Sequence, residues 1–319
     1  MKAAAYSVNG EPEVLEYVEM PDPVAEAGMV RIRVKYIAIQ GGDLANRRHT
    51  PPPRPPHIVG YQASGVVDQV GPAVSSVHPG ARVVVFGWSG SHAQLLTVDE
   101  RHVFRVPDGL SLRAAATIPV EFGTASDALF EFARMTEGET VAVRGAAGGV
   151  GLATVSLARN AGARVIAIAA QPQRVQKIVE FGADAGIDYL AEDVPARVME
   201  LTDGRGADVV IDLAGGSPLL EALAFRGRYG LVGGASGKAV HWDPRSLATK
   251  SATLFGFGYG GVIGTHRARV VISSLLREAE GGRIGIPIDR VYPLSLAAGA
   301  HSYAEAKRPV GRVLLDADA

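Results

Sequence analysis

The sequence predicts an α/β protein that combines a doubly wound parallel sheet with a second, β-rich domain. A glycine-rich turn at residues 145–151 lies between an apolar strand and a helix, as in dinucleotide-binding units. Strand-like and helix-like segments alternate from residue 118 to 258, which is typical of a parallel sheet. Residues 1–117 and 259–319 are rich in strands and turns. We therefore expect the sheet domain to be inserted into one β-rich domain.

Composition excludes several classes of function. The 32 basic and 33 acidic side chains leave a net charge of −1, so we expect no nucleic-acid partner. The chain has no cysteine, which rules out disulfides, thiolate catalysis and cysteine-ligated zinc. No apolar run approaches the ~20 residues that a membrane helix requires. These features predict a cytoplasmic protein without membrane contact.

The β-rich segments contain alternating and glycine-bounded strands. Met29–Tyr36 alternates apolar and polar residues, which predicts a half-buried antiparallel strand. Further predicted elements are the strands Gly65–Gly71 and Ala81–Gly87, a helix near Arg267–Ala279, the strand Ile288–Tyr292, a short helix from Leu296 and the strand Gly311–Leu315.

The inserted segment has the elements of a parallel sheet. Its short, apolar, β-branched runs indicate buried strands, and longer stretches between them indicate helices. The predicted strands are Thr140–Arg144, Arg164–Ala169, Ala185–Asp188, Asp208–Leu213, Tyr229–Val232 and Ala252–Phe255. The predicted helices are Leu152–Gly162, Gln173–Phe181 and Pro218–Phe225.

The glycine turn matches a phosphate-binding pattern, Ala146-x-Gly148-x-x-Gly151, with alanine at the first glycine position. Glycine lets the backbone approach a pyrophosphate, whose charge then meets a helix N-terminus. Taken alone, the pattern also fits a tight turn that binds nothing.

The residues after the turn favour NADP over NAD. An acidic residue about twenty positions past the glycines marks NAD, because its carboxylate bonds the ribose 2′-hydroxyl. No Asp or Glu occurs from Ala146 through Val179, whereas Arg174 and Lys177 lie in that window. A 2′-phosphate would pair with such cations.

Short motifs along the chain carry a family resemblance. They are Gln40–Asp43, Gly60–Val67, Pro79–Val83, Ala114–Ala116, Gly123–Ala125, the Ala146–Gly151 turn, Gly182–Asp184 with Asp188-Tyr189, Gly256-Phe257 and Gly311–Val313. In this order and spacing, the chain resembles the zinc-independent quinone oxidoreductases, the zeta-crystallin-like group of the medium-chain dehydrogenase/reductase superfamily. The resemblance implies a GroES-like β-barrel catalytic domain (1–117 and 259–319), a Rossmann NADP-binding domain (118–258) and a homodimer.

The resemblance also implies a set of site residues. Gln40 would lie beside nicotinamide and substrate, and Thr124 would contact the nicotinamide. Tyr61 could donate to a substrate carbonyl or simply pack. We therefore assign Gln40, Thr124 and Tyr61 as candidate catalytic residues. The expected cofactor contacts are Gln40, Thr124, Ala147, Gly148, Gly149, Val150, Arg174, Tyr189, Phe257 and Arg312.

Two of these assignments have a simpler alternative, and so does the match at Asp43. Arg174 falls on the family's basic 2′-phosphate contact, but it could be a solvated charge on a helix face. Tyr189 falls on a phosphate-contacting tyrosine, but it could be an ordinary residue at a strand end. Asp43 matches a family aspartate and is at least as well explained as a helix cap.

Zinc-dependent relatives bind their metal through a cysteine, a Gly-His-Glu segment and a third ligand. This chain has Gln40 at the first place and Tyr61-Gln62 after Gly60, which do not replace thiolate and imidazole. The histidines of the first domain lack metal-ligand spacing, so we expect no metal. The zinc-independent chemistry then depends on the cofactor.

The expected activity is NADPH-dependent reduction of a quinone or an α,β-unsaturated carbonyl compound, as in NADPH:quinone oxidoreductases. One alternative is an enoyl-CoA or acrylyl-CoA reductase, although Leu44–Thr50 lacks the tyrosine that such enzymes use. Another is an NADPH-binding structural or sensor protein. Arg47, Arg48 and His49 either meet an anionic substrate or form a solvated charge cluster.

Overall fold

The structure is a computed structural model that describes residues 1–216, 219–239 and 243–319. The chain divides into two compact units, Met1–Gly123 with Gly260–Ala319 and Thr124–Tyr259. The domain boundaries expected from the sequence lie at 117/118 and 258/259, and they remain a prediction.

The described residues form strands and helices numbered along the chain. The strands are β1 (Lys2–Tyr6), β2 (Glu16–Glu19), β3 (Met29–Ala38), β4 (His57–Ile58), β5 (Gln62–Val70), β6 (Arg82–Phe86), β7 (Leu95–Asp99), β8 (Val103–Arg105), β9 (Thr140–Arg144), β10 (Arg164–Ala169), β11 (Ala185–Asp188), β12 (Ala207–Asp212), β13 (Leu223–Leu231), β14 (Thr253–Gly256), β15 (Ile288–Pro293) and β16 (Arg312–Asp316). The α-helices are α1 (Gly41–His49), α2 (Leu112–Ala115), α3 (Pro119–Ser126), α4 (Gly149–Asn160), α5 (Pro172–Phe181), α6 (Val194–Leu201), α7 (Pro244–Lys250), α8 (His266–Glu280) and α9 (Ala297–Lys307), and a π-helix spans Asp127–Phe132.

The first unit is built on two sheets. The smaller has the order β2-β1-β4, and the larger has the order β15-β16-β3-β5-β6-β8 with β7 paired to β3. Pairing is antiparallel except between β15 and β16. The alternation predicted for β3 is confirmed, since Val30, Ile32 and Val34 are buried in the core. Between them, Arg31 and Arg33 pair with Asp68.

The second unit is a parallel sheet of order β11-β10-β9-β12-β13-β14. Its central strands are buried almost throughout, as expected when helices cover both faces of a parallel sheet. Strand order therefore reverses between β9 and β12, and in such sheets ligands bind at the carboxyl ends beside that reversal. The predicted α/β architecture is confirmed.

Most predicted elements of the second unit are found with similar bounds, but one helix was wrong. In place of the helix predicted over Pro218–Phe225, a 3₁₀ turn spans Leu220–Ala222 and β13 begins at Leu223. Pro218 itself lies outside the described residues. Leu219, Leu220 and Ala222 are all buried in the sheet core, so the apolar run carries no periodicity that separates helix from strand.

No helix among the described residues is long and apolar enough to cross a membrane.

Candidate active site

The glycine turn of the second unit has the geometry of a phosphate cradle. Gly145 has φ +83°, in the left-handed region that favours glycine. A Cβ on Gly151 would lie 2.4 Å from the carbonyl oxygen of Gly145, so α4 approaches the turn as only glycine allows. The N-cap of α4 is Gly148, which is exposed and has no side chain to cover the helix N-terminus. This terminus can therefore accept an anion.

The other predicted turn residues lie on the same segment. Ala147 and Gly149 are buried, whereas Gly148 is exposed and Val150 is half-buried. A Cβ on Gly148 would meet only the oxygen of Gly145, at an ordinary 3.6 Å. The exposed backbone of the turn is thus concentrated at Gly148, directly before the helix.

The structure brings Arg174 and Tyr189 to one edge of the sheet. Arg174 lies in the first turn of α5, which follows β10, and Tyr189 directly follows β11. These strands are parallel, with Ala169 opposite Asp188, so both residues follow carboxyl ends. Tyr189 is 46% exposed and Arg174 is half-buried. A cation and a phenol at this edge suit a phosphate.

The nearby carboxylate of Asp188 is already engaged. Its Oδ1 accepts hydrogen bonds from the backbone N–H groups of Gln171 and Leu190, both at 3.0 Å. Gln171 itself has φ +70° and is the residue before α5. The carboxylate thus holds the two loops together.

A buried polar cluster at the point of strand reversal was missed from the sequence. The carboxylate of Asp212, at the end of β12, is only 1% exposed. Its Oδ1 accepts from the backbone N–H groups of Ala214 and Gly215, and its Oδ2 accepts from the Tyr229 hydroxyl at 2.7 Å. The guanidinium of Arg144, directly before the glycine turn, lies 3.4 Å from Oδ2. Asp212 thereby shapes the loop at this sheet edge.

Thr124 and Phe257, both predicted to contact the cofactor, belong to the second unit. Thr124 lies in α3 and is only 7% exposed. The Phe257 ring follows β14 and stacks on Phe132, with centroids 4.5 Å apart and an interplanar angle of 12°. Phe255 lies on the same ring at 5.6 Å.

The predicted residues of the first unit meet at one edge of its larger sheet. Strand β3 ends two residues before Gln40, β5 begins directly after Tyr61, and β16 begins at Arg312. Because β3 is antiparallel to both β5 and β16, these positions share an edge. The structure thus brings Gln40, Tyr61 and Arg312 together.

Glu121 joins these residues and was not predicted. It is fully buried in α3. Its Oε1 accepts from Nε2 of Gln40 at 2.8 Å and from Nε of Arg312 at 2.6 Å, and its Oε2 accepts from Nε2 of Gln62 at 2.8 Å. A single acid in the apolar stretch 114–125 was the available signal, because a charge there must be paired when buried.

The hydrogen bonds of this cluster determine how both amides are oriented. Nη2 of Arg312 donates to Oε1 of Gln40, and because arginine has no acceptor, Nε2 of Gln40 must face Glu121. Gln62 donates to Ala116 and Glu121 and accepts from the backbone of Val120 at 2.7 Å. Gln62 is therefore saturated, whereas one N–H of Gln40 has no partner in this cluster.

Asp43 lies beneath this cluster. It is fully buried, and its Oδ2 accepts from the backbone N–H of Gln40 at 2.8 Å, which supports the expectation that it caps α1. Its Oδ1 has no hydrogen-bond partner. Burial raises the pKa of Asp43 to about 7, against the opposing effects of the Gln40 N–H and Arg312.

Tyr61 is packed between α1 and a ring cluster. Its hydroxyl lies 2.8 Å from the position of a Cβ on Gly42, so only glycine fits there. Its ring lies 5.7 Å from Phe86, which in turn contacts Trp88 edge-on at 5.4 Å. Burial raises the pKa of Tyr61, so the phenol stays protonated. Packing is therefore one role of Tyr61, and its hydroxyl remains a candidate donor.

The residues of this edge do not fit zinc. Gln40, Tyr61 and Gln62 offer amides and a phenol, and the hydrogen bonds above already use both ends of Gln62. Among the residues that the structure describes, no group of three or more His, Asp or Glu is arranged to hold a metal ion.

A second buried cluster lies at the other end of α1. His92 and His301 are both fully buried, with their Nε2 atoms 3.0 Å apart. Burial lowers the pKa of His92 to about 3, and it also lowers that of His301, with smaller effects from His92 and Arg47. Both imidazoles are therefore neutral near pH 7.

Arg47 and Arg48 do not form a solvated charge cluster, and both pair with carboxylates. Arg47 is fully buried, donates to the Gly10 carbonyl at 2.6 Å and pairs with Glu305. Arg48 pairs with Glu11 and Glu305. These pairs neutralise the basic end of α1.

Known proteins resemble both parts of the chain. Residues 26–108 match the alcohol dehydrogenase GroES-like domain, and residues 149–276 match the zinc-binding dehydrogenase family. The quinone oxidoreductase-like protein 2 of Bos taurus is 34% identical over 98% of this chain and 92% of its own length. The second family description mentions zinc, whereas the residues present here at the edge around Gln40 do not suit it.

Solved structures extend the similarity. Escherichia coli quinone oxidoreductase complexed with NADPH has a TM-score of 0.93 and 28% identity, covering 99% of this chain and 100% of that one. A mycobacterial protein complexed with NADPH has a TM-score of 0.91 and 30% identity, with the same coverage. The combination of a GroES-like domain with a Rossmann sheet is therefore confirmed.

Proposed function

Because this chain belongs to the medium-chain dehydrogenase/reductase superfamily, among its quinone oxidoreductase-like members, we propose that it is an NADPH-dependent, zinc-independent reductase. Its substrate would be a quinone or an α,β-unsaturated carbonyl compound. The observation that carries the proposal is the set of hydrogen-bond donors around Gln40, which consists of amides, a guanidinium and a phenol. The carboxylate of Glu121 in this cluster is already bonded to Gln40, Gln62 and Arg312.

The second unit supplies the residues that would hold NADPH. The exposed backbone at Gly148 and the uncapped start of α4 suit the pyrophosphate. Arg174 and Tyr189 suit the 2′-phosphate, and the carboxylate of Asp188 beside them is bonded to two backbone N–H groups. The NADPH complexes of two relatives support this choice of cofactor.

The proposed nicotinamide contacts are Gln40, Thr124, Phe257 and Arg312. Bound NADPH would supply a hydride from its nicotinamide ring. Hydride addition to a quinone or enone leaves a delocalised oxyanion, which hydrogen-bond donors stabilise. We assign this role to the remaining N–H of Gln40 and to the hydroxyl of Tyr61, with solvent as a sufficient proton source.

The proposal includes a homodimer formed at the edge of the parallel sheet. Strand β14 is an edge strand of the parallel sheet, and its Leu254 side chain is 39% exposed. An open strand edge is a template for pairing with a second copy. Replacing Leu254 with Arg should shift the light-scattering mass from dimer to monomer, and a monomeric wild type would refute this part. A cytoplasmic location stays a prediction.

The decisive experiment measures NADPH oxidation with 1,4-benzoquinone, 9,10-phenanthrenequinone, an enone and crotonyl-CoA, before and after treatment with a chelator. We expect turnover of the quinones or the enone, unchanged by chelation. Turnover of crotonyl-CoA alone would favour the enoyl-CoA reductase alternative. Tight NADPH binding without turnover of any substrate would refute both enzymes and leave the structural or sensor role.

A further inference from the structure

Arg312 is paired with a carboxylate and hydrogen-bonded within its own cluster. Its Nε donates to Glu121, its Nη1 to the carbonyl of Ile39 and its Nη2 to Gln40. Three of its five N–H groups are thus engaged, and its side chain is only 12% exposed. The paired carboxylate of Glu121 is fully buried, so water screens the pair weakly.

The cluster as a whole has no excess positive charge. Arg312 contributes one positive charge and Glu121 one negative charge, while Gln40 and Gln62 are neutral. Asp43 adds either nothing or a second negative charge, because its pKa is about 7, and the protonated phenol of Tyr61 adds none. The sum is zero or −1 near pH 7. An anion brought here would lose hydration without gaining a net counter-charge.

We propose that Glu121 determines substrate specificity, selecting uncharged hydride acceptors and excluding anionic ones by neutralising Arg312 and orienting Gln40. This inference rests on the proposed reductase function and narrows its substrate class. A purely structural role for Glu121 would predict lower stability on substitution, but no change in the preference between neutral and anionic compounds.

The test compares 1,2-naphthoquinone with 1,2-naphthoquinone-4-sulfonate, which share one ring system. In Glu121→Gln, the guanidinium of Arg312 loses its hydrogen-bonded counter-charge, and Asp43 is the one acid of the cluster that can still oppose it. We therefore expect the ratio of kcat/KM values to shift by about tenfold towards the sulfonate, since hydrogen bonds to charged groups contribute at least that factor. The double variant Glu121→Gln/Arg312→Met removes the cation too, and its ratio should return towards that of the wild type.

Glu139→Gln is the matched control, because Glu139 pairs with Arg228 at 2.5 Å in the other unit. Its ratio should equal that of the wild type. An unchanged ratio in folded Glu121→Gln, or an equal shift in the control, would overturn the proposal.

A second measurement depends neither on turnover nor on a variant that folds. Calorimetric titration of the wild type in saturating NADP⁺, which fills the proposed phosphate sites, compares 2-naphthalenesulfonate with 2-naphthol. We expect the sulfonate to bind no more tightly than the phenol. Tighter sulfonate binding would contradict charge exclusion whatever the variants do. Sulfonate exclusion in a protein that reduces no quinone would refute the proposed function while leaving the charge selection intact.

Discussion

Oε1 of Glu121 accepts a hydrogen bond from Nε of Arg312 at 2.6 Å, joining helix α3 to the first residue of β16 across 191 positions of sequence. Among the described residues, β16 is the one strand of the C-terminal segment that pairs directly with β3. The hydrogen bond from Arg312 fixes the first residue of this strand. Loss of this hydrogen bond should therefore lower the stability of the fold as well as disturb the site.

Glu121→Gln should lower the free energy of unfolding by about 3–5 kcal/mol, because it leaves a largely buried guanidinium without a counter-charge. Adding Arg312→Met should restore much of the loss, since a paired removal leaves no orphan charge. Urea denaturation measures both. The ion pair of Glu139 retains contact with water. If Glu121→Gln loses no more stability than Glu139→Gln, the buried Glu121 pair contributes no more to stability than a partly exposed pair.

Arg174→Glu should weaken NADPH binding far more than NADH binding, because it places a negative charge where the 2′-phosphate is proposed to lie. The control is Lys307→Glu, an equal charge change at an exposed position of α9 with no proposed role in cofactor binding. Fluorescence titration with both nucleotides gives the comparison. Equal losses for NADPH and NADH would remove Arg174 from the 2′-phosphate site.

Two glycine substitutions should separate folding from cofactor binding. Gly151→Ala introduces a methyl group 2.4 Å from the oxygen of Gly145, so the melting temperature should fall. The added methyl group of Gly148→Ala would meet no atom closer than 3.6 Å, so the melting temperature should not change. The affinity for NADPH should fall, because the methyl group would occupy space proposed for the pyrophosphate. Full NADPH affinity in Gly148→Ala would place the pyrophosphate elsewhere.

Tyr61→Phe tests whether the phenol donates to substrate. Removal of the hydroxyl leaves the ring contact with Phe86 in place, so the melting temperature should change little. We expect kcat to fall at least about tenfold, less than the ~10²–10³-fold loss of a sole oxyanion donor, because the N–H of Gln40 remains. An unchanged kcat would assign Tyr61 to packing alone.

The histidine pair predicts acid sensitivity. The folded pKa values of His92 and His301 lie below the ordinary value near 6.5, so the unfolded chain binds more protons as pH falls through that value. The contribution of these histidines to stability should therefore be full above about pH 7 and decline below it, by up to about 1.4 kcal/mol per pH unit for each histidine. Asp43, whose pKa burial raises to about 7, changes stability in the opposite direction over the same range. Denaturation between pH 7 and 5 measures the slope.

Variants assign that slope to the buried pair. His301→Gln should flatten it, whereas His78→Gln should not, because His78 is exposed. A slope that both variants leave unchanged would point to other groups.

The parallel sheet could be predicted because its strands are continuous apolar runs separated by helices. Arg164–Ala169 and Ala185–Asp188 were confirmed with the same bounds. The helix predicted over Pro218–Phe225 failed because apolar residues buried on all sides carry no period. Tertiary packing decided in favour of β13, which pairs Leu223 with Ala207.

The sequence motifs identified candidate site residues, but they did not identify the residues to which these are hydrogen-bonded. Gln40, Tyr61 and Arg312 were predicted and share a sheet edge. Glu121 was not, because its role depends on contacts with residues 59 to 191 positions away. Long-range pairing of polar groups has no local pattern, so only the three-dimensional structure reveals it.

Helix α1 links the two buried clusters and sets a fixed spacing between them. Gln40 precedes its first residue and Arg47 lies seven positions later, close to two turns and about 10 Å away on the same face. One cluster holds the amide of Gln40, and the other holds Arg47 against Glu305. An insertion or deletion of one residue within α1 would rotate one end by about 100° relative to the other. Length variation in this protein should therefore be tolerated in loops and strongly selected against in these nine residues.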